Sequence, residues 1–217
     1  MRGPGLDLKA AILDRVIHKA PAAAWTPADF LDLGSRDGVD QALHRLTRNG
    51  DIRRIARGLY DKPQFNSLTR KPTNPDPRTI VDALARRDQA RMIVDGMTAA
   101  NDLGLSDAVP ARIIVHTDAR LKPIKLGNLQ IDFKTTAPSK LHWAGRPAMR
   151  VVQALHWLHD IGADTDAAVK KRLATILADP KHGQAIADDL TSDLLALPAW
   201  MQGSLRDVLA ASATAQR

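Results

Sequence analysis

Apolar residues recur at helical spacing three times within the first fifty positions of the chain. Residues 6–20 place apolar side chains three and four positions apart, which predicts an amphipathic helix. Thr26 is a typical N-cap and predicts a second helix that ends at Gly34. A third helix is predicted over residues 35–49, with its first serine as the N-cap and Gly50 as a left-handed exit. The predicted buried stripe of this third helix is Val39, Ala42, Leu43 and Leu46.

Two short runs of alternating apolar and polar residues follow, on either side of Arg57-Gly58. They predict a β-hairpin over residues 51–61, because a glycine turn joins two segments of period two. Three helices followed by a hairpin is the element order of a winged helix-turn-helix. Residues 35–49 would then be the reading helix and residues 51–61 the wing. The sequence therefore predicts a DNA-binding domain over residues 1–62.

Prolines mark the end of this module. Four of them fall within residues 63–77, together with Asn, Ser and Thr, which predicts a linker. Residues 78–217 are predicted to form a C-terminal α+β domain. Its predicted helices are residues 78–88, 98–103, 148–161, 165–178, 183–190 and 199–211, and its predicted strands are 92–94, 113–116 and 129–133, the last two separated by a hairpin signal. The predicted fold class is α+β and helix-rich: an N-terminal winged helix-turn-helix followed by a mixed α/β and helical C-terminal domain.

The charge of the chain indicates a polyanionic partner. There are 31 Lys and Arg residues against 24 acidic residues, which gives a net charge of +7, and the pI is about 10.0. The chain has no run of eighteen apolar residues, no lipidation signal and no apolar stretch typical of a signal peptide, so we expect a cytoplasmic protein without a membrane partner. It has no cysteine, which excludes disulfides, zinc ribbons, iron–sulfur clusters and cysteine nucleophiles.

One face of the predicted third helix carries side chains suited to reading double-stranded DNA. When the apolar stripe points inward, Gln41, Arg45 and Arg48 fall on the opposite face. Arg recognises guanine and Gln recognises adenine, each contact adding roughly 1–3 kcal/mol of discrimination. Arg57, beside a glycine turn, is placed to bind a phosphate or to enter a minor groove. The predicted DNA-binding residues are Ser35, Arg36, Gln41, His44, Arg45, Arg48, Arg53, Arg54 and Arg57. The alternative is that these side chains form a solvated basic surface.

Two motifs of the chain resemble one family of bacterial regulators. The run Gly50-Asp-Ile-Arg-Arg-Ile-Ala-Arg-Gly-Leu-Tyr60 resembles the wing hairpin of the AbiEi family of antitoxins. Residues 95–106, followed by Val109-Pro110, look like the second segment of that family, and residues 153–158 are also similar to it. The resemblance covers about residues 8–160.

The resemblance implies two activities. The N-terminal module would bind repeats in its own promoter and repress it. The C-terminal part would counteract a nucleotidyltransferase-like toxin, AbiEii. The family is described as a type IV toxin–antitoxin system, in which toxin and antitoxin need not form a stable complex, so a cognate toxin is an expected partner without a lasting contact.

A metal-dependent nuclease is an alternative function. Asp132-Phe133-Lys134 lies on a predicted strand after Asp118, and carboxylates with a nearby Lys are typical of sites that hold Mg²⁺ and an attacking water. We favour the other interpretation, in which the strand simply turns its polar face to water, because no further acidic partner is evident.

Two histidine motifs allow weaker hypotheses. His156 and His159, followed by Asp160, share one helix face and would suit zinc, but no further ligand has the right spacing, so we favour packing or surface roles. His116 and Asp118 form a possible pair at a strand end, without an identified nucleophile. The chain has no P-loop, dinucleotide fingerprint or nucleophile elbow. We therefore expect no enzyme activity, no catalytic residue, no metal and no cofactor.

Residues 95–106 allow two interpretations of the C-terminal domain. They form either a partner-binding surface or a packing motif, in which Gly96 breaks a strand and Ala99-Ala100 lie close to the sheet. We favour packing. A non-catalytic scaffold that binds a partner through the C-terminal helices is the third functional hypothesis.

Overall fold

The computed structural model describes residues 7–18, 23–68, 70–108 and 110–215, and the chain divides into two compact units. The first unit contains the residues up to 90 together with 122–131, and the second contains 91–121 together with the residues from 132 onward. The fold is mixed α/β and helix-rich. The described α-helices are α1 (Leu8–His18), α2 (Arg36–Asn49), α3 (Pro77–Asp88), α4 (Gly96–Asp102), α5 (Met149–Asp160), α6 (Ala167–Leu177), α7 (Gly183–Ser192) and α8 (Ala199–Ala215). The described strands are β1 (Arg53–Ala56), β2 (Leu59–Asp61), β3 (Phe65–Asn66), β4 (Lys71–Pro72), β5 (Met92–Val94), β6 (Arg112–Thr117), β7 (Ile124–Leu126) and β8 (Leu129–Thr135).

Helix α2 buries the residues that its apolar spacing predicted, and α1 buries Ile12 and Val16 but leaves Ile17 exposed. Residues 6, 19 and 20 of the first predicted helix lie outside the described residues, and the rest of it forms α1. In α2, the Ser35 hydroxyl accepts the N–H of Gly38 at 3.2 Å, and Gly50, with φ of +81°, ends the helix. The prediction of this helix and its caps is confirmed. Its buried residues are Val39, Ala42, Leu43 and Leu46.

The second predicted helix is reduced to one turn of 3-10 helix, Pro27–Phe30, so the expectation of a helix reaching Gly34 is wrong. The turn begins as predicted, with the Thr26 N–H donating to Asp29 Oδ2 at 2.7 Å. The physical reason is that the hydrogen bonds after Phe30 keep the tighter i to i−3 pattern, with the Leu33 N–H donating to the Phe30 carbonyl at 3.0 Å. The Asp29 carbonyl, which an α-helix would offer to Leu33, accepts Arg15 Nη1 at 2.7 Å instead.

Strands β1 and β2 form the predicted hairpin with one irregularity. Gly58 has φ of +65° and reverses the chain between the strands. The paired residues are Arg53 with Asp61, Arg54 with Tyr60, and Ala56 with Leu59. A β-bulge therefore lies between Arg54 and Ala56, and it shifts the register of the residues before it by one position.

An apolar core joins the helices of the first unit to this hairpin. The backbone bridge between Trp25 and Tyr60 has N–H to oxygen hydrogen bonds of 2.7 and 2.8 Å, which fix the hairpin to the segment before the 3-10 turn. The buried members of the core are Ile12, Val16, Phe30, Val39, Ala42, Leu43, Leu46 and Ile52.

A second hairpin, β3–β4, occupies part of the segment predicted as a linker. Residues 65–66 pair with residues 71–72 in antiparallel fashion, and the Thr73 N–H donates to the Gln64 carbonyl at 2.7 Å. Prolines are tolerated here because they lie at the ends and edges of a two-residue ladder. Asp76 then caps α3 by accepting the Arg78 N–H at 2.9 Å.

The strands of the four-stranded sheet follow the order β5-β6-β8-β7. The predicted strands at 92–94, 113–116 and 129–133 are present as β5, β6 and β8, and the hairpin signal between the last two corresponds to the β7–β8 hairpin, which turns at Gly127 with φ of +62°. The helices of the second unit bury a separate core that includes Leu155, Leu190 and Met201. Among the described residues, no helix combines the length and the apolarity needed to cross a membrane.

Gly96 brings α4 into direct contact with α5. A Cβ atom at this position would lie 2.5 Å from the Gln153 carbonyl oxygen and 2.5 Å from Trp157 Cβ, both on α5. Ala99 and Ala100 are fully buried. The motif is therefore packed inside the second unit, which agrees with the favoured interpretation, and Gly96 follows β5 as the first residue of α4. The close contact that the structure shows is between Gly96 and helix α5, whereas the predicted contact was between Ala99-Ala100 and the sheet.

Candidate nucleic-acid interface

A cleft of about 230 Å³ lies between α2 and the β1–β2 hairpin. We call it the α2–hairpin cleft. It is lined by His44, Thr47, Arg48, Arg54 and Tyr60. Three of these residues come from α2, one from β1 and one from β2, so the fold of the first unit brings them together from sequence positions up to sixteen apart.

The cleft has a basic, hydroxyl-bearing lining. Within the described part of the chain, no carboxylate forms an ion pair with Arg48 or Arg54, although Arg54 Nε donates to the Ala56 carbonyl at 3.3 Å. Two guanidinium groups, an imidazole and the Tyr60 hydroxyl are donors of the kind that bind phosphate oxygens in proteins. The Thr47 hydroxyl donates to the Leu43 carbonyl of its own helix at 2.8 Å. Tyr60 was not among the predicted site residues, because only the folded hairpin places it beside α2. Thr47, on α2 itself, was not among them either.

The remaining predicted residues of α2 fall into two groups. Gln41 and Arg45 are exposed. Arg36 is exposed as well, but its Nε donates to Asp40 Oδ2 at 2.9 Å, and the Ser35 hydroxyl is used by its own helix. Among the predicted base-reading residues, Gln41 and Arg45 are therefore better presented to a partner than Arg36.

The bulge in β1 gives the two neighbouring arginines of the hairpin different environments. Arg53 forms a two-pronged ion pair with Asp61, with nitrogen–oxygen distances of 2.9 and 2.6 Å, and Arg53 Nη2 also donates to the Thr73 carbonyl at 3.0 Å. Asp61 is only 3% exposed. A hairpin without the bulge would pair Asp61 with Arg54 instead. The structure thus assigns Arg53 to structural contacts and leaves Arg54 at the cleft.

Arg53→Ala should lower the free energy of unfolding by about 2–3 kcal/mol, because it leaves a buried carboxylate without its partner. Arg54→Ala is the matched control and should change stability by less than about 0.5 kcal/mol, as expected for an exposed side chain. Urea unfolding of both variants is the measurement. Equal stabilities for the two would contradict the role assigned to Arg53.

Arg57 lies at the tip of the hairpin, and its backbone is held by a residue that the sequence analysis missed. Arg87 Nη1, on α3, donates to the Arg57 carbonyl at 2.7 Å, while its other nitrogens bond Asp88. The Arg57 side chain is exposed. No local pattern identifies Arg87 as a hairpin contact, since the two residues are thirty positions apart.

The acidic residues considered for a nuclease are held by other groups. Asp132 lies 3.1 Å from Arg112 Nε, at the first residue of β6, whereas Asp118 follows the last residue of β6 and accepts the Arg91 N–H at 2.9 Å. The structure does not bring the two carboxylates together. Over residues 7–18, 23–68, 70–108 and 110–215, no group of three or more His, Cys, Asp or Glu is arranged to hold a metal ion.

The two histidine motifs of the second unit also have packing partners. The His159 ring stacks on Trp200 at 3.9 Å with an interplanar angle of 6°, and its Nδ1 lies 3.1 Å from Asp164 Oδ2. His156 meets the same indole edge-on at 5.7 Å. His116 Nδ1 lies 3.0 Å from Thr136 Oγ1 and so is bonded to a threonine and not to Asp118.

Partial desolvation of two histidines makes the free energy of unfolding sensitive to mild acid. Desolvation lowers the pKa of both His156 and His116 below the ordinary value of about 6.5, with Lys134 adding to the effect at His116. Between about pH 6.5 and these lowered pKa values, the unfolded chain therefore binds more protons than the folded chain. The stability contribution is complete above about pH 6.5 and is lost as the pH falls through the lowered folded-state pKa values.

The free energy of unfolding should therefore decrease between about pH 7 and pH 5. A His116→Gln, His156→Gln double variant, which keeps polar side chains that do not titrate, should flatten this dependence. Urea unfolding at several pH values tests the expectation, and an equally steep profile for the double variant would contradict it.

The fold and the site define a helix-rich mixed α/β chain with a basic cleft between a helix and a hairpin. The chain belongs to the family of unknown function DUF6088, which it matches over residues 11–184. That match includes the cleft and most of the helices of the second unit. No curated protein matches the chain.

Proposed function

We propose that this chain is a sequence-specific DNA-binding repressor, in which residues 35–49 form the reading helix and residues 51–61 the wing of a winged helix-turn-helix. The observation that carries the proposal is the α2–hairpin cleft, where Arg48 and Arg54 meet without a carboxylate partner among the described residues. The net charge of +7 supports the same class of partner.

In this proposal α2 enters the major groove and the cleft receives a backbone phosphate. Gln41 and Arg45 contact base edges, which read the sequence. Arg48, Arg54 and Arg57 contact phosphates, which fix the register and carry no sequence information themselves. The ion pair between Arg53 and Asp61 fixes β1 to β2, and the hydrogen bond from Arg87 to the Arg57 carbonyl fixes the hairpin tip to α3, before DNA arrives.

A gel-shift assay with duplex DNA from upstream of the chain's own coding sequence tests the proposal. We expect retardation at about 50 mM salt that an unrelated duplex competes with poorly, and a binding constant that falls linearly on a log–log plot against salt concentration. The absence of retardation at low salt would refute the proposal.

Arg45→Ala and Arg57→Ala should affect DNA binding in different ways. Arg45→Ala should reduce discrimination between the upstream duplex and an altered one by roughly 1–3 kcal/mol, because a base contact is lost. Arg57→Ala should weaken binding to both duplexes equally and reduce the salt slope by about one, because a phosphate contact is lost. Titrations of each variant at four salt concentrations provide both quantities. The same change of slope and specificity in both variants would contradict the assigned roles.

We also propose that the chain acts as an antitoxin to a nucleotidyltransferase-like toxin. What supports this is the order of the two AbiEi-like motifs, at residues 50–60 and 95–106. If the neighbouring open reading frame encodes such a nucleotidyltransferase, co-expression should restore growth without a complex that co-purifies. Undiminished toxicity, or the absence of such a neighbour, would count against this role and leave the DNA-binding proposal standing.

A further inference from the structure

We infer that the β3–β4 hairpin is a second DNA-contacting element, which inserts apolar side chains into the minor groove beside the site read by α2. This inference rests on the proposed DNA-binding function. Two large apolar side chains are exposed to solvent: Phe65 is 71% exposed and Leu68 is 92% exposed. Both belong to one short hairpin in the first unit.

The surroundings of these two side chains are basic. No acidic residue occurs between Asp61 and Asp76, whereas Arg70 and Lys71 come two and three positions after Leu68 and are exposed. Exposed apolar residues beside cationic ones are the combination with which minor-groove proteins bind phosphates and wedge between base steps.

The backbone at Arg70 adds a second observation. Its φ is +51°, in the left-handed region where Gly or Asn is more stable than Arg, and its N–H donates to the Asn66 carbonyl at 2.8 Å to close the turn. A cationic side chain, that of Arg70, therefore occupies a position where the backbone conformation by itself favours glycine.

The base of the hairpin is attached to the proposed wing. Arg53 Nη2, whose guanidinium pairs with Asp61, also donates to the Thr73 carbonyl at 3.0 Å. Three residues separate β2 from β3, so the two hairpins are also close along the chain. A fixed base with an exposed apolar tip is the arrangement a groove-inserting element requires.

The small size of the apolar tip favours DNA over a protein partner. A standard protein interface buries about 800 Å² on each partner, far more than two side chains supply. A minor-groove wedge needs only one or two apolar side chains, and the kink it causes brings further contacts.

A Phe65→Ser, Leu68→Ser double variant of the full chain tests the wedge. Binding to the upstream duplex is measured together with its bend, by energy transfer between dyes at the two ends. The wild type should bend the duplex by at least about 20°, and the double variant should lose that bend and bind about 10-fold more weakly with an unchanged salt slope. Leu195→Ser, which alters an 84% exposed leucine of the second unit, is the control and should match the wild type.

Arg70→Gly tests the basic flank without a folding cost, because it relieves the positive φ while removing one charge. It should reduce the salt slope by about one and leave the free energy of unfolding equal or higher. If the wild type binds DNA, and both variants bind and bend it as the wild type does, this inference is overturned and the proposed function still stands. A wild type that binds no DNA would overturn the proposed function first. Loss of self-association or of binding to anionic vesicles, with DNA binding intact, would also overturn the wedge.

The absence of cysteine allows a direct mapping experiment. Leu68→Cys gives the chain a single thiol, to which an iron chelate that cleaves nearby DNA is attached. Cuts with the offset typical of the minor groove, next to the protected sequence, are expected. Arg57→Cys, at the tip of the first hairpin, is the positive control, and cuts from residue 57 without any from residue 68 would refute the inference.

Discussion

Replacing Arg48 and Arg54 together with alanine is expected to weaken binding of the upstream duplex by about 100-fold or more. Both guanidinium groups line the α2–hairpin cleft, and within the described residues neither is neutralised by a carboxylate. Each hydrogen bond to a charged group contributes roughly 1.5–3 kcal/mol, and a tenfold change in affinity corresponds to about 1.4 kcal/mol. The loss should appear in gel-shift titrations with the upstream and the unrelated duplex alike.

Two control variants separate site geometry from overall charge. Lys170→Ala with Lys171→Ala removes the same two charges from exposed positions of α6 in the second unit. This pair should change the affinity by less than about 5-fold, since charges outside the binding site act only through the screened general field. Arg48→Lys with Arg54→Lys keeps the charge but removes the planar, two-pronged donors, so it should fall between the wild type and the alanine pair. If the α6 pair costs as much affinity as the cleft pair, the cleft is not the DNA-binding site.

Gly96→Ala should destabilise the chain by about 3 kcal/mol, because the added methyl group has no room beside α5. The new Cβ would lie 2.5 Å from the Gln153 carbonyl oxygen and from Trp157 Cβ. The carbonyl is part of the α5 backbone and cannot rotate away, so α4 must move from its helix partner, and overpacking of this kind costs 1–3 kcal/mol or occasionally more. The fully buried Ala99 and Ala100 would lose close packing as α4 shifts.

Gly203→Ala is the matched control for this prediction. Gly203 lies on an exposed face of α8, and nothing is within 4 Å of a Cβ added there. Because glycine is a poor helix former, alanine at this position should stabilise the chain by roughly 0.5–1 kcal/mol. Urea unfolding should show that the free energy of unfolding decreases in Gly96→Ala and increases in Gly203→Ala. A stability for Gly96→Ala within error of the wild type would show that α4 and α5 do not approach as closely as described.

The elements of the first sixty residues were predictable because their signals are local. The apolar stripe of α2, the Ser35 cap and the Gly50 exit each depend on residues within one or two turns, and all three are confirmed. The hairpin turn at Gly58 is local as well. The second helix was predicted too long, since the Asp29 carbonyl that would continue it accepts Arg15 Nη1 of α1, fourteen positions away.

The roles of the arginines depended on contacts that no local pattern reveals. Regular alternation on either side of Gly58 would pair Asp61 with Arg54. The β-bulge shifts the register, so that Asp61 pairs with Arg53 instead. A shift of one residue turns each side chain to the other face of the strand, so the bulge determines which arginine faces the cleft. Arg87 and Thr73 reach the hairpin from thirty and twenty positions away.

By itself, the sequence determined α1, α2 and the β1–β2 hairpin, the buried face of α2 and the basic character of the first unit, because helix periodicity, capping and turn chemistry act over a few residues. The tertiary structure decided the rest. It closed the cleft from α2, β1 and β2, and it formed a second hairpin where composition indicated a linker. It also placed Gly96 against α5 and set His156 and His159 around Trp200. These arrangements depend on which distant segments pack together and in what register. Local sequence patterns specify neither of these.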